Sequence, residues 1–547
     1  MYQMIKIILF CKPYLRKHTV ALSSYILLCI VVGLFSLIKP YITGSFLDYL
    51  TGSDRCYSLV HYCIFFFFTM ILSIFVGYAS NRLYVYLQTK LGFELNCSVI
   101  THVHKLRLSY LDKQDTAYLN QRINNDSNAL MTFCISVVQN VVIQSVTLFV
   151  SVVVIFSFDA LIATVFFVLI PIYFVVYSLL KKHIFSASFL LKEQQANFFG
   201  KLYEQFTHIK LLKIHSISSE FLTRLYDSFN KLLKCAYNYQ NTTYLFSGLD
   251  SVVVGIAQMF LFLYGGSLVL LGKLSIGQFT IISNYFGIML GSARYFFSLG
   301  KTVQDNMVSL KRLEEIEFLE QSPIGETRLD HIDDISITDY SKSYEGNNII
   351  SSFSIKFTKG NIYTISGPNG SGKTTIVNSI LGLDIGEYSG KIRINGLPLE
   401  KIDMQNARKH LFGVVEQEPM LFEDTISYNI WLGRVSEGKK LNDYIDMLGL
   451  QSFLSNLSNG LQTRIGENAA NLSGGEKQKI SIIRALIKDP EVVILDEPTS
   501  ALDRESAEKL KIHLQSIKNQ KTIIIVSHDT TFHDISDTVV FLPRFVE

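Results

Sequence analysis

Gly367–Pro368–Asn369–Gly370–Ser371–Gly372–Lys373–Thr374 fits the G-x-x-x-x-G-K-[ST] pattern of a phosphate-binding loop. Its setting suits one: the run Tyr363–Thr364–Ile365 before it reads as a strand, and Thr375–Ile376–Val377 opens a helix. Glycines let backbone N–H groups converge on phosphate oxygens, Lys373 meets the β- and γ-phosphates, and the Thr374 hydroxyl ligates Mg²⁺. A plain glycine turn would have no use for Lys373–Thr374. Further along, Val492–Val493–Ile494–Leu495–Asp496–Glu497 reads as a buried strand ending in two acids. Asp496 is placed to position Mg²⁺, and Glu497 to orient and polarise an attacking water. From about Ile335 onward, short β-rich runs alternate with helical segments, which predicts an α/β domain with a mainly parallel sheet.

The residues upstream have a different chemistry. The chain has 547 residues, more than one domain at ~150 residues each. Hydrophobic residues make up 48% and charged residues 18%, against roughly 25% charge in soluble domains, and the mean hydropathy is +0.27. That excludes an ordinary cytosolic enzyme, a disordered chain, a collagen-like fibre and a disulfide scaffold. The seven cysteines form no CxxC pair and are read as small apolar residues. A net charge of +3 gives no reason to propose a nucleic-acid partner.

Six apolar stretches are long enough to cross a bilayer core, which takes ~20 helical residues: Val20–Ile38, Val60–Ser80, Ile135–Phe156, Ala160–Leu180, Leu249–Leu271 and Phe279–Leu299. Lysine and arginine gather before the first, between the second and third, and between the fourth and fifth, so those connections and both termini are expected in the cytoplasm of a cell-membrane protein. The two long basic connections look like helical hairpins, each helix ~25 residues and ~37 Å long. The expected architecture is an all-α six-helix transmembrane domain over residues 1–320, a linker over 321–334, and an α/β P-loop NTPase domain over 335–547.

Leu472–Ser473–Gly474–Gly475–Glu476 resembles the signature motif of the ATP-binding cassette superfamily, with Glu where Gln is commoner. The other motifs stand in the family's order. Tyr344 matches the aromatic that stacks on adenine, Gln417 the residue linking Mg²⁺ to the membrane part, Ser500–Ala501–Leu502–Asp503 the segment after the catalytic acid, and His528 the switch histidine at the γ-phosphate. Ser473–Gly474–Gly475 is also a helix start with free N–H groups suited to phosphate. The resemblance implies ATP and Mg²⁺ as ligands, with Glu497, His528 and Gln417 catalytic and Thr374, Gln417 and Asp496 around the metal. Nucleotide contacts fall to Tyr344, Gly367, Asn369, Gly370, Ser371, Gly372, Lys373, Thr374, Thr375, Ser473, Gly474, Gly475, Glu476 and Asp503. In this family the signature of one cassette closes over the phosphate loop of another, so the single cassette implies a dimer, either of two copies or with a related half-transporter.

The membrane part is similar to that of exporter half-transporters. Arg122–Ile123–Asn124–Asn125–Asp126 resembles a segment that follows their first coupling helix, and by position Ser109–Ala117 and Ile214–Arg224 would be the two coupling helices. Polar residues in spans mark a pathway or an interhelix contact: Gln139, Asn140, Gln144, Gln258, Asn284 and Arg294, the last expected to pair with Asp250. Phe- and Tyr-rich spans suit an amphipathic cargo: a modified peptide, a lipid or a drug. No peptidase-like region precedes the first span, which disfavours the leader-cleaving type, and the short stretch after His528 gives no expectation of regulation by a C-terminal helix. The resemblance thus implies ATP-driven export by a dimeric half-transporter; the alternatives are a subunit of an obligate heterodimer, an ATP-gated channel or sensor, and an importer built on the exporter fold.

Overall fold

The computed structural model describes residues 2–52, 58–111, 116–344, 347–434, 438–466, 469, 471–528 and 530–543. The chain divides into two compact units, Met1–His104 with Thr116–Leu319, and Lys105–Asp115 with Glu320–Glu547. The helices of the first half are α1 (Tyr2–Lys17), α2 (Thr19–Leu50), α3 (Leu59–Val103), α4 (Leu108–Leu111), α5 (Thr116–Phe158), α6 (Ala160–Thr207), α7 (Ile209–His215), α8 (Ser218–Leu270) and α9 (Ile276–Glu317).

Local chemistry sets where these helices begin. Asp159 accepts the Leu161 and Ile162 N–H groups at 2.8 and 3.0 Å to start α6, and Ser275 forms a capping box with Gln278 at the head of α9. Among the described residues, α2, α3, the Arg122–Phe158 part of α5, and α8 are long and apolar enough to cross a membrane. The other two expected spans lie on α6 and on α9, where Gln278, Asn284 and Arg294 interrupt the apolar stretch. Phe67, Phe68 and Phe75 on α3, Phe149 on α5 and Leu263 on α8 are each more than half exposed, an outer surface that suits lipid rather than water. Inside, Tyr25, Leu87, Leu91, Leu130 and Met131 pack α2, α3 and α5 together.

Small residues let helices touch, as membrane interfaces require. A Cβ on Gly44 of α2 would sit 2.6 Å from the Gly277 carbonyl of α9. Beside that crossing, Asp48 accepts the Gly277 N–H and the Ser275 hydroxyl, both at 2.8 Å. The polar residues of the spans join helices in the same way. Tyr25 donates to Gln139 Oε1 at 2.6 Å and Ser292 to Gln144 Oε1 at 2.7 Å, while Arg294 Nε meets Asp250 Oδ2 at 2.7 Å. Asn140 is half-buried on α5, and Gln258 and Asn284 lie on exposed helix faces.

The helices continue beyond the expected spans over residues 81–103 (α3), 116–134 (α5), 181–207 (α6) and 218–248 (α8), close to the ~25 residues expected of each hairpin helix. The tips differ from the sequence reading. At the second tip, α7 ends at His215, Ser216 turns in the left-handed region (φ 53°) and α8 begins at Ser218, so Ile214–Arg224 straddles a turn instead of forming one helix. At the first, α4 covers Leu108–Leu111 and residues 112–115 lie outside the described residues.

The second unit continues with β1 (Asp334–Tyr344), β2 (Asn347–Thr358), β3 (Ile362–Ser366), α10 (Lys373–Ile380), β4 (Ser389–Ile394), β5 (Leu397–Pro398), α11 (Met404–His410), β6 (Phe412–Val415), α12 (Ile426–Trp431), α13 (Gly438–Met447), α14 (Gln451–Ser455), α15 (Gly474–Leu486), β7 (Val492–Asp496), α16 (Arg504–Ile517), β8 (Thr522–Ser527) and β9 (Thr538–Phe541). The order β6-β7-β8-β3-β9 makes a parallel sheet, and β2-β1-β4-β5 an antiparallel one. Both faces of the parallel sheet are covered, as apolar strands demand. Val493, Leu495, Ile523 and Ile525 face a core shared with α15 and α16; Val492, Ile494, Ile524 and Val526 face α10 and the antiparallel sheet.

One charge in this unit carries a stability cost. Burial, followed by the Arg434 and Arg484 guanidiniums, pushes the Lys488 ammonium down to about 8 from its usual 10.5. The unfolded chain therefore binds more protons between those values, and stability rises with pH across that window. Below pH 8 the whole penalty remains, up to about 3 kcal/mol at 1.36 kcal/mol per pKa unit. Lys488→Met is expected to raise the thermal midpoint of the cassette at pH 7 and to lose that advantage towards pH 10.5. An advantage unchanged with pH would show that charge burial is not its source.

Candidate functional site

Parallel strands deliver their C-terminal ends to one edge, where α/β sheets place their sites. β3, β7 and β8 are neighbours, with Ser366 opposite Ser527 and Asp496 opposite Val526. The residues that follow each strand therefore meet.

After β3 the chain turns through the glycine loop. Gly370 and Gly372 have φ of +79° and +88°, a region open to glycine at little cost. A Cβ on Gly367 would lie 2.5 Å from the Leu542 carbonyl, so that position too must stay bare. Helix α10 starts at Lys373, two residues before the start read from the sequence, with Gly372 as its N-cap. Lys373 is buried, and its Nζ donates to the Gly367 and Pro368 carbonyls at 2.8 and 3.0 Å. Among the described residues, the buried Ser371 hydroxyl has no hydrogen-bond partner. Thr375 follows on α10, and Asn369 is exposed at the loop's outer edge.

Thr374 Oγ1 donates to Asp496 Oδ2 at 2.8 Å. Burial pushes the Asp496 carboxyl up, against the hydrogen bond from Thr374. A buried carboxylate, a hydroxyl and the nearby Gln417 amide form an all-oxygen donor set of the kind a hard divalent cation takes.

Glu497, next along, adopts φ 46°, a conformation that costs a non-glycine residue on the order of 1–3 kcal/mol. Its N–H donates to the Val526 carbonyl at 2.9 Å. Gln417 Nε2, just after β6, donates to Glu497 Oε2 at 3.0 Å, and His528 Nδ1, just after β8, lies 3.2 Å from Glu497 Oε1. The Glu497 side chain is 11% exposed and that of His528 55%, so the acid is sheltered and the histidine faces outward. Gln417 and His528 thus converge on the Glu497 carboxylate, which brings the three residues expected to be catalytic together. A cavity of about 460 Å³ opens here, lined by Ser366, Gly367, Pro368, Asn369, His528 and Phe541. Phe541 escapes a motif reading; it arrives because β9 pairs with β3 and sets it opposite Ser366.

The signature residues form a second group. The Ser473 hydroxyl accepts the Glu476 N–H at 3.3 Å and the Glu476 carboxylate accepts the Ser473 N–H at 2.7 Å, a full capping box at the head of α15. Glutamate serves that box as well as glutamine would, so the departure from the commoner residue leaves the helix start intact. Gly474 and Gly475 pack on the segment after Glu497: a Cβ on Gly475 would lie 2.9 Å from the Ala501 carbonyl. Asp503 caps α16 through the Ser506 N–H at 2.8 Å and receives Lys479 Nζ at 2.8 Å, and the Lys479 bond above all holds its carboxyl well below the usual range. These bonds close among themselves, apart from those of the phosphate loop. Tyr344 ends β1, and its side chain lies outside the described residues.

Comparison with known proteins bears on both units. The family model described as ABC transporter transmembrane region matches residues 22–293, and the one described as ABC transporter matches residues 350–500. The uncharacterized ABC transporter ATP-binding protein YknV of Bacillus subtilis is 25% identical over 99% of this chain and 90% of its own length. An ATP-dependent lipid A-core flippase of Desulfotalea psychrophila is 27% identical over 80% of this chain and 77% of its own. A solved bacterial Atm1-family ABC exporter with ATP bound superposes with a TM-score of 0.84 at 19% identity, covering 97% of this chain and 95% of that one.

Proposed function

The chain belongs to the ABC transporter family, with a helical transmembrane domain and an ATP-binding cassette fused in one polypeptide, and on that premise we propose that two copies form an ATP-hydrolysing exporter of amphipathic molecules. The observation that carries this reading is the Glu497 carboxylate, held by Gln417 and His528 beside the Thr374–Asp496 pair.

Lys373 and the N–H groups of the loop bind the β- and γ-phosphates of ATP, and the head of α15 from the second copy supplies further N–H groups. Thr374, Asp496 and Gln417 would hold Mg²⁺, which would supply neutralising charge to the phosphates. Glu497 Oε accepts the proton of the attacking water, and Gln417 fixes the carboxylate's direction. His528 lies at the open side of the carboxylate, where it can donate to the γ-phosphate. The strained φ of Glu497 keeps the acid at that point instead of leaving it in the strand.

Support for the cargo comes from the membrane domain. Arg294 is paired with Asp250, so its charge is not left to call for an anionic cargo. An apolar cleft of about 280 Å³, lined in part by Phe46, Tyr62 and Phe66, suits acyl or aromatic groups, in keeping with the flippase among the relatives. Basic residues at the long connections support a cytoplasmic cassette.

The test is purification of the chain alone into lipid nanodiscs, with particle mass and ATP hydrolysis measured together. A particle of two 62.1 kDa chains that hydrolyses ATP is the expected result. An inactive single chain that gains activity only with a second, related half-transporter would replace the homodimer by a heterodimer.

A further inference from the structure

β1 carries a lysine where its alternation reserves a buried place. Ile335 and Ile337 face inward, and after the irregularity that follows, Tyr340 and Lys342 do. Lys342 and Asp384 are each 4% exposed, and the Lys342 ammonium pairs with Asp384 Oδ2. The same oxygen accepts the Ser379 hydroxyl at 2.7 Å, and the Tyr340 hydroxyl lies 2.6 Å from Ser379 Oγ. Ser379 stands on α10, the helix opened by the phosphate loop.

The other side of Lys342 faces Glu387. Its Oε2 is 4.0 Å from Lys342 Nζ, and its Oε1 accepts the hydroxyl of Ser109 on α4. α4 is fixed within this unit by Arg107, whose Nη2 meets Glu320 Oε2 at 2.9 Å, and by the Ser322 N–H, which donates to the Lys105 carbonyl at 2.8 Å. It is also continuous in the chain with α3, which ends at Val103.

Buried ions are an expensive way to build a core: each costs several kcal/mol to desolvate, and a well-packed apolar pair of similar volume is often as stable. Charges add what apolar packing lacks, a fixed partner and direction at each step. We propose that Ser379, Asp384, Lys342, Glu387 and Ser109 form a relay that ties the position of α10 to that of α4, making Lys342 and Glu387 positioning residues that pass nucleotide-dependent movement of the phosphate loop to α3. This rests on the ATP-driven reading above and names the residues through which it acts.

The experiment measures two things on the full chain in nanodiscs: ATP hydrolysis, and hydrogen exchange on adding Mg-ATP with vanadate, in peptides from 362–380 and from α3. In the unaltered chain both peptides change. In Ser109→Ala, Glu387→Ala and the doubly apolar Lys342→Met/Asp384→Leu, hydrolysis stays within about twofold and the phosphate-loop peptide still responds, while the α3 response falls on the order of tenfold. The doubly apolar variant guards against simple misfolding, because its thermal midpoint is expected to stay at or above that of the unaltered chain. An undiminished α3 response in the Ser109 and Glu387 variants overturns the relay. So does a joint loss of hydrolysis and both responses in all three variants, which marks a structural role. No response of the phosphate loop in the unaltered chain overturns the ATPase reading itself, a distinct failure.

Discussion

Glu497→Gln is expected to lower steady-state ATP hydrolysis by on the order of 10²–10⁴-fold, the range supplied by a positioned general base, while ATP binding persists. The change is nearly isosteric. A side-chain amide can still meet Gln417 and His528, and the backbone N–H keeps its bond to the Val526 carbonyl, so the site keeps its shape and loses its proton acceptor. Two copies bound to ATP then have no route to reset, and the expected product is an ATP-dependent dimer of cassettes that outlasts the unaltered one. Radiolabelled or fluorescent ATP retained after rapid filtration measures that state directly. Turnover within a few-fold of the unaltered chain would remove Glu497 from the chemistry.

Lys373→Met should fail at the earlier step. The methionine keeps the apolar stem and removes the ammonium, which is buried and donates to two carbonyls of its own loop. A positive donor aimed at developing phosphate charge is worth on the order of 10²–10³-fold in rate, and here it also contributes to ground-state binding. Hydrolysis is expected to vanish and the affinity for a fluorescent ATP analogue to fall at least tenfold. The two variants thus differ in a readable way: Glu497→Gln binds and stalls, whereas Lys373→Met does not bind. Equal retention of nucleotide by both would show that Lys373 serves the loop's fold and not the phosphate.

The phosphate loop and the acid pair are legible in the sequence because phosphate chemistry fixes their spacing and their place at a strand end. Their mutual arrangement is not. Gln417 and His528 reach Glu497 through the order of β6, β7 and β8 in the sheet, which no local pattern encodes. Phe541 enters the cavity through the β3–β9 register, equally a tertiary fact. The second helix tip was misplaced because Ser216 makes a left-handed turn without the glycine that usually announces one. Lys342 left no such trace: alternation from Ile335 and Ile337 would turn it outward, and only the irregularity before Tyr340 turns it inward, where folding brings Asp384 and Glu387 beside it. In the spans, the exposed phenylalanines speak of lipid, and the same chemistry that makes them good lipid neighbours hides which face meets cargo.

The most direct test of the central claim, that two copies of this chain share their nucleotide sites, is a cross-link between them. Asn369 and Ser473 are both exposed, and the native cysteines all precede residue 236, so an Asn369→Cys/Ser473→Cys chain carries the only cassette thiols. In the Glu497→Gln background, a short bis-maleimide should give a covalent dimer that requires ATP and that neither chain with only one of the two substitutions forms. A dimer yield indifferent to ATP, or no dimer at all from a chain that binds ATP, would contradict the account.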